Sequence, residues 1–221
     1  MDAVDTPVRI TPLKADTFGR ILLLQSGTDT VVRRDLTVVP RGVRWLAHRL
    51  AAREARALAA LGDLPDTPRL LGFDWQRLDR SYLPGAPMFQ SPPHGNLAWF
   101  RAARRLLQQL HRRGIVHNDL AKEANWLVQA DGRPALIDFQ LAMVGRPRSR
   151  WFRLLAREDL RHLLKHKRTY CPDAITPVER RLLNRRSWVR QLWFATGKPV
   201  YRFITRKVLH WRDNEGRGPR L

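Results

Sequence analysis

A chain of 221 residues with 43% hydrophobic and 28% charged side chains can bury a sizeable core, which excludes a disordered tail or a linker. Its 41 Lys+Arg against 20 Asp+Glu give a net charge of +21, pointing to nucleic acid, anionic lipid or a phosphorylated sugar as partner, or to a solvated arginine-rich face with no dedicated one. A single cysteine, Cys171, excludes an internal disulfide framework.

The charge is uneven. Residues 146–221 carry 21 Lys+Arg against 6 Asp+Glu, whereas residues 1–145 carry 20 against 14. No stretch approaches eighteen uncharged apolar residues, and no basic start, apolar run and small-residue cleavage site opens the chain. A cytoplasmic location is expected, with peripheral attachment to the inner face of a membrane as the second option.

In chain order, residues 8–36 alternate apolar and polar patches around Gly19 and Ser26-Gly27, which predicts two or three strands joined by tight turns. Residues 43–61 place Trp45, Leu46, Leu50, Leu58 and Leu61 near helical spacing, stopped by Gly62. "PRLLGFDW" and "RSYLPG" read as two short strands, the second ending at the breaker pair Pro84-Gly85. A Pro-rich link leads to a helix from about Leu97 to Arg113, ended by Gly114.

The stretch "GIVHNDLAKEANWLVQADGRPALIDFQLA", residues 114–142, is the informative one. "NWLVQ" and "PALIDF" are strand-like and "ADGR" between them is a hairpin turn signal, so Asp119 falls in a loop, Asn125 just before the first strand and Asp138 at the end of the second. Three oxygen ligands around one small space suit magnesium. Phosphoryl transfer needs such a cation on the phosphates and a carboxylate beside the accepting hydroxyl. From Ser149 onward the pattern is helical, in three segments broken by Pro and Gly.

"VHNDLAKEAN" resembles the catalytic loop of the protein-kinase superfamily, and "LIDFQ" resembles its metal-binding Asp-Phe-Gly. With "RSYLPG" as a hinge and "LKADTFGR" near the start, the chain is most similar to bacterial RIO-like kinases and the related lipopolysaccharide-core sugar kinases, over roughly residues 10–165. The resemblance implies an α+β, two-lobed protein-kinase-like fold. Residues 1–83 would be a small antiparallel-sheet lobe with one helix. Residues 84–175 would be a short helical lobe without a long activation segment, and 176–221 a basic, aromatic helical extension.

It also implies ATP and Mg2+ as cofactors. Asp119 would be the catalytic base, and Asn125 and Asp138 the metal ligands. Glu54 would be the helix partner of a strand cation, Leu83 would lie at the hinge beside adenine, and Gly19 would stand where a glycine-rich loop covers phosphate. Asp159 in "AREDLRHLL" would brace the catalytic loop. Five residues separate Asp119 from Asn125 where the superfamily has four, and Gln140 replaces the last Gly of the metal motif. The strand lysine is missing: "TVVRRDL" offers Arg33, with Arg34 as its outward neighbour, while Lys14, the only lysine before residue 122, is a second source of positive charge. Arginine is not a conservative replacement, although its fork can hold phosphate bidentately and pair with Glu54.

The expected activity is transfer of the γ-phosphate of ATP to a hydroxyl, on a protein serine or threonine or on a lipopolysaccharide-core sugar. The rival is a pseudokinase that binds nucleotide or an anionic partner without turnover, and RNA binding is a weaker third reading. His117 reads as a structural brace. His162 and His166 have helical spacing but a cationic neighbourhood unsuited to zinc, Cys171 reads as inert, and "ATGKPV" lacks the other residues of a P-loop. Near the end, Val200, Ile204, Val208 and Trp211 form one stripe, which fits either core packing or, with Trp188, Trp193 and Tyr201, a membrane-surface helix.

Overall fold

The computed structural model describes residues 8–184. The stripe around Val200 to Trp211, the aromatic residues Trp188, Trp193 and Tyr201, and the Gly197-Lys198 pair lie outside them.

The first lobe is a five-stranded antiparallel sheet: β1 (Arg9–Asp16), β2 (Gly19–Ser26), β3 (Asp29–Asp35), β4 (Leu70–Phe73) and β5 (Arg77–Ser81), in the order β1-β2-β3-β5-β4. The β1–β2 turn closes so tightly that a Cβ on Gly19, at φ 129°, would stand 2.5 Å from the Asp35 carbonyl oxygen, so only glycine fits there. Beside it Phe18 packs on Leu36, Val39, Ala47 and Ala51, drawing the turn toward the helix.

That helix, α1 (Arg44–Leu61), buries Ala47, Ala51, Glu54, Ala55, Ala57, Leu58 and Leu61. The buried stripe is therefore mostly alanine, which lets the helix lie close to its neighbours, and Trp45, expected on the inner face, is 64% exposed. Leu58 and Leu61 join the core of the second lobe, so one apolar cluster runs beneath both lobes.

Residues 82–85 connect the lobes, with Leu83 half-buried. Next come β6 (Ala86–Pro87), α2 (Leu97–Arg112), β7 (Ile115–Val116), β8 (Trp126–Val128), β9 (Pro134–Leu136), β10 (Met143–Val144), α3 (Arg150–Tyr170) and α4 (Pro177–Asn184). Asn96 and Ser149 cap α2 and α3, their side chains accepting from the amides of Trp99 (3.0 Å) and Phe152 (3.1 Å). β6, β8 and β9 form one small sheet and β7 pairs with β10. Around them Trp99, Leu107, Leu110, Trp126, Leu136 and Phe139 are almost fully buried. This architecture, a sheet-and-helix lobe followed by a mainly helical one, is the expected α+β kinase-like arrangement. α4, at the start of the expected extension, packs on α3 through a Lys167–Glu179 ion pair of 2.7 Å.

Candidate active site

The loop bearing Asp119 is held at both ends. Gly114, at φ 75°, turns the chain out of α2, and its carbonyl accepts from the Gly145 amide at 2.8 Å. Fully buried Ile115 and Val116 then anchor β7. Beyond it, Asp159 on α3, 1% exposed, accepts from the backbone amides of His117 (Oδ2, 2.8 Å) and Asn118 (Oδ1, 3.0 Å). Two charge-assisted bonds from one buried carboxylate fix the backbone just ahead of Asp119. They also stabilise Asn118 at φ 64°, a conformation that asparagine tolerates better than most residues.

His117 ties this loop to the strand that leads to Asp138. Its Nε2 lies 2.9 Å from the Ile137 carbonyl and its ring packs on Phe139 with centroids 4.7 Å apart. Asn118 Nδ2 donates to the Leu141 carbonyl at 3.1 Å. The β8–β9 register completes the frame: Trp126 pairs with Leu136, and the Ile137 amide donates to the Asn125 carbonyl at 3.1 Å. Asn125 and Asp138 therefore occupy the same end of one hairpin.

Asn125 reaches Asp119 directly. Its Nδ2 donates to the Asp119 carbonyl at 2.9 Å and to the Asp119 carboxylate at 3.1 Å, which the five-residue spacing accommodates through a short helical turn at Glu123–Asn125. Lys122 Nζ donates to the same Asp119 oxygen at 2.8 Å. Asp138 sits in left-handed backbone, φ 65° and ψ 68°, and its Oδ1 is buried with no hydrogen-bond partner. A strained backbone and an unmatched carboxylate oxygen both cost stability, a combination that collects at functional sites.

The strand cation differs from expectation. Side chains alternate along a strand, and β3 pairs Arg33 with Asp79 but Arg34 with Leu78. Arg33 therefore points to the opposite face, where it makes a bidentate bond with Asp79 at 2.7 and 2.8 Å that holds its pKa above the ordinary value. Arg34, 5% exposed, is the residue beside Glu54, at 3.8 Å, and it also donates to Gln140 Oε1 at 3.2 Å. The expected Arg33–Glu54 pairing is thus made by its neighbour.

Glu54, fully buried, also accepts from Arg80 on β5 in a close contact. Two guanidiniums on one carboxylate leave a surplus of one positive charge. Lys14 shares the register row of Ile21 and Arg34 on the sheet, with its ammonium 3.7 Å from Asp16 and mostly exposed. Arg53 Nε donates to the Ala142 carbonyl at 2.6 Å, so α1 is fastened to the segment that follows Asp138.

Among the described residues no cluster of three or more His, Cys, Asp or Glu side chains forms, so a metal would have to be held by a sparser, oxygen-only set. Asp138 with its unmatched oxygen and Asn125, whose amide nitrogen is committed to Asp119 and whose Oδ1 is the remaining donor, fit a small hard cation that keeps most of its ligands from water and phosphate.

The model of the APH phosphotransferase enzyme family matches residues 20–180. The chain belongs to that phosphotransferase family. The match spans β2 through α4 and so includes every site residue described except Lys14 and Gly19. Among the curated proteins none matches the chain. The contacts that sequence reasoning did not anticipate are those of Arg34 and Arg80 with Glu54 and of Lys122 with Asp119. The doublet Arg33-Arg34 carried a signal for the first, and the Lys122 spacing from Asp119 for the third, but nothing local pointed to Arg80.

Proposed function

We propose that this phosphotransferase moves the γ-phosphate of ATP to a hydroxyl of an anionic acceptor, most consistently a sugar of the lipopolysaccharide core. The observation that carries the reading is the pairing of Asp119 with Asn125 at the hairpin end that also bears the unmatched Asp138 oxygen. Asp119 presents one carboxylate oxygen to Lys122 and Asn125, and the other is left to orient and deprotonate the acceptor hydroxyl. That hydroxyl oxygen forms the new bond to phosphorus, the bridging bond to the β-phosphate breaks, and ADP leaves with the bridging oxygen.

Asn125 and Asp138 would hold Mg2+, which when bound neutralises charge on the phosphate oxygens. Arg34, kept in place by Glu54 and Gln140, supplies fixed positive charge toward the phosphates from the sheet side, and Lys122 does so from the loop side. Lys14 and Gly19 lie on the β1–β2 side of the nucleotide and Leu83 flanks the adenine in this reading. The basic second half of the chain favours a phosphorylated glycan over an uncharged peptide, with a protein serine or threonine as the second acceptor.

The test is ADP formation with Mg2+ and lipopolysaccharide-core oligosaccharide, compared with casein-type peptide substrates. Asp138→Ala is expected to lower turnover at least about a thousandfold, the scale of leaving transition-state charge uncompensated. Nucleotide binding with no turnover on any acceptor would favour the pseudokinase instead. Turnover near wild type in Asp138→Ala would overturn the residue assignment.

A further inference from the structure

We infer that the face formed by α2 and the first half of α3 docks on an anionic lipid membrane. Residues 97–112 of α2 carry Arg101, Arg104, Arg105 and Arg112 and no Asp or Glu, and residues 139–157 carry five further arginines, again with no carboxylate. Between the two helices runs an open groove of about 460 Å3. Its floor is apolar, from Leu107, Phe152, Ala156 and Leu160, while Arg112, Arg153 and Arg157 stand at its edge and are exposed. Trp151, next in sequence to the groove-lining Phe152, is 67% exposed, and Val144, in the strand before α3, is 49% exposed. Arginines around an apolar slot, with an exposed tryptophan in the same first turn of α3, match the layering of a membrane surface, where phosphates lie outside acyl chains and indole sits at the boundary.

Charge selects this occupant over the other candidates. A second copy would present the same positive face and is repelled. Nucleic acid satisfies the arginines but has no apolar layer to place in the groove. Glu179 lies 3.9 Å from Arg104 but is already held by Lys167 at 2.7 Å, so the rim stays positive. The groove also touches the catalytic frame: His111 lines it, with Nε2 3.3 Å from the Asp159 carboxylate that holds the Asp119 loop. Docking would therefore place the loop close to the lipid surface. The surface is independent of which acceptor the phosphotransferase uses.

The test is co-sedimentation of the full chain with phosphatidylcholine vesicles and with mixed phosphatidylcholine–phosphatidylglycerol vesicles, across a salt series. Binding is expected only to the mixed vesicles, weakening with salt. The double variant Arg153→Gln/Arg157→Gln should partition about thirtyfold more weakly, at about 1 kcal/mol per basic residue near an anionic surface. Trp151→Ser should weaken binding without altering its salt dependence, and Arg153→Lys/Arg157→Lys should retain it. All these positions are exposed, so melting temperatures should match wild type and exclude misfolding as the cause. Equal binding to both vesicle types, wild-type binding by the double glutamine variant, or retention on homopolymer RNA with no vesicle binding would each overturn the inference.

Discussion

Replacing Glu54 by Gln removes the one negative charge between Arg34 and Arg80 while conserving shape. The three side chains are 0%, 7% and 11% exposed, so the guanidiniums cannot turn to water without breaking the packing of α1 on the sheet. Breaking a buried pair by neutralising one partner costs about 3–5 kcal/mol, because the surviving charge stays buried and uncompensated. Here two such charges survive, so the upper part of that range applies. At about 2–4 °C per kcal/mol for a domain of this size, the melting temperature should fall by about 10–20 °C. Calorimetry of wild type and Glu54→Gln reads this directly. A triple variant, Glu54→Leu/Arg34→Met/Arg80→Leu, should regain most of the stability yet bind ATP more weakly, separating the structural role of the cluster from its charge. A Glu54→Gln protein melting within about 2 °C of wild type would refute the reasoning, since a buried carboxylate that matters so little is not balancing two cations.

Other consequences are independent of that cluster. Arg34→Ala should weaken nucleotide binding in titration calorimetry, whereas Arg33→Ala, on the opposite face of the sheet, should leave it unchanged; the reverse order would show that the register argument fails. Asp159→Asn keeps one acceptor oxygen and loses one hydrogen bond to a charged group, so it should destabilise the fold by about 1.5–3 kcal/mol and lower turnover. Equilibrium denaturation together with initial rates checks it. Burial, with Lys165 second, pushes the His162 pKa down from 6.5 to about 4. The unfolded chain then binds the extra proton between those values. This contribution to stability is intact above pH 6.5 and is lost as pH falls toward 4. Urea midpoints across that window should decline in wild type and decline less in His162→Leu.

Much of the frame was legible in the sequence because its signals are local. The periodicity from Leu97, the glycine that ends α2, the helical pattern from Ser149 and the "ADGR" turn placed α2, α3 and the β8–β9 hairpin almost where they lie, and the hairpin in turn brings Asn125 and Asp138 to one end. The strand cation was not legible. A strand has a side-chain period of two, so in "VVRRD" a shift of one residue exchanges the inward and outward arginine, and only pairing with β5 decides which is which. Arg80 was invisible for a related reason, since its contact with Glu54 spans two elements brought together only by the sheet order. Trp45 misled because a large apolar side chain at helical spacing reads as core, while the face of α1 that packs closely is built from alanines.

In the proposed reaction Asn125 and Asp138 hold a divalent cation against nucleotide phosphates beside Asp119. Titration calorimetry of ATP into the full chain, with and without Mg2+, tests it without needing the acceptor. Mg2+ is expected to tighten ATP binding to wild type, and Asp138→Asn to abolish this increment while leaving metal-free binding in place. A Mg2+ increment of the same size in Asp138→Asn would contradict it.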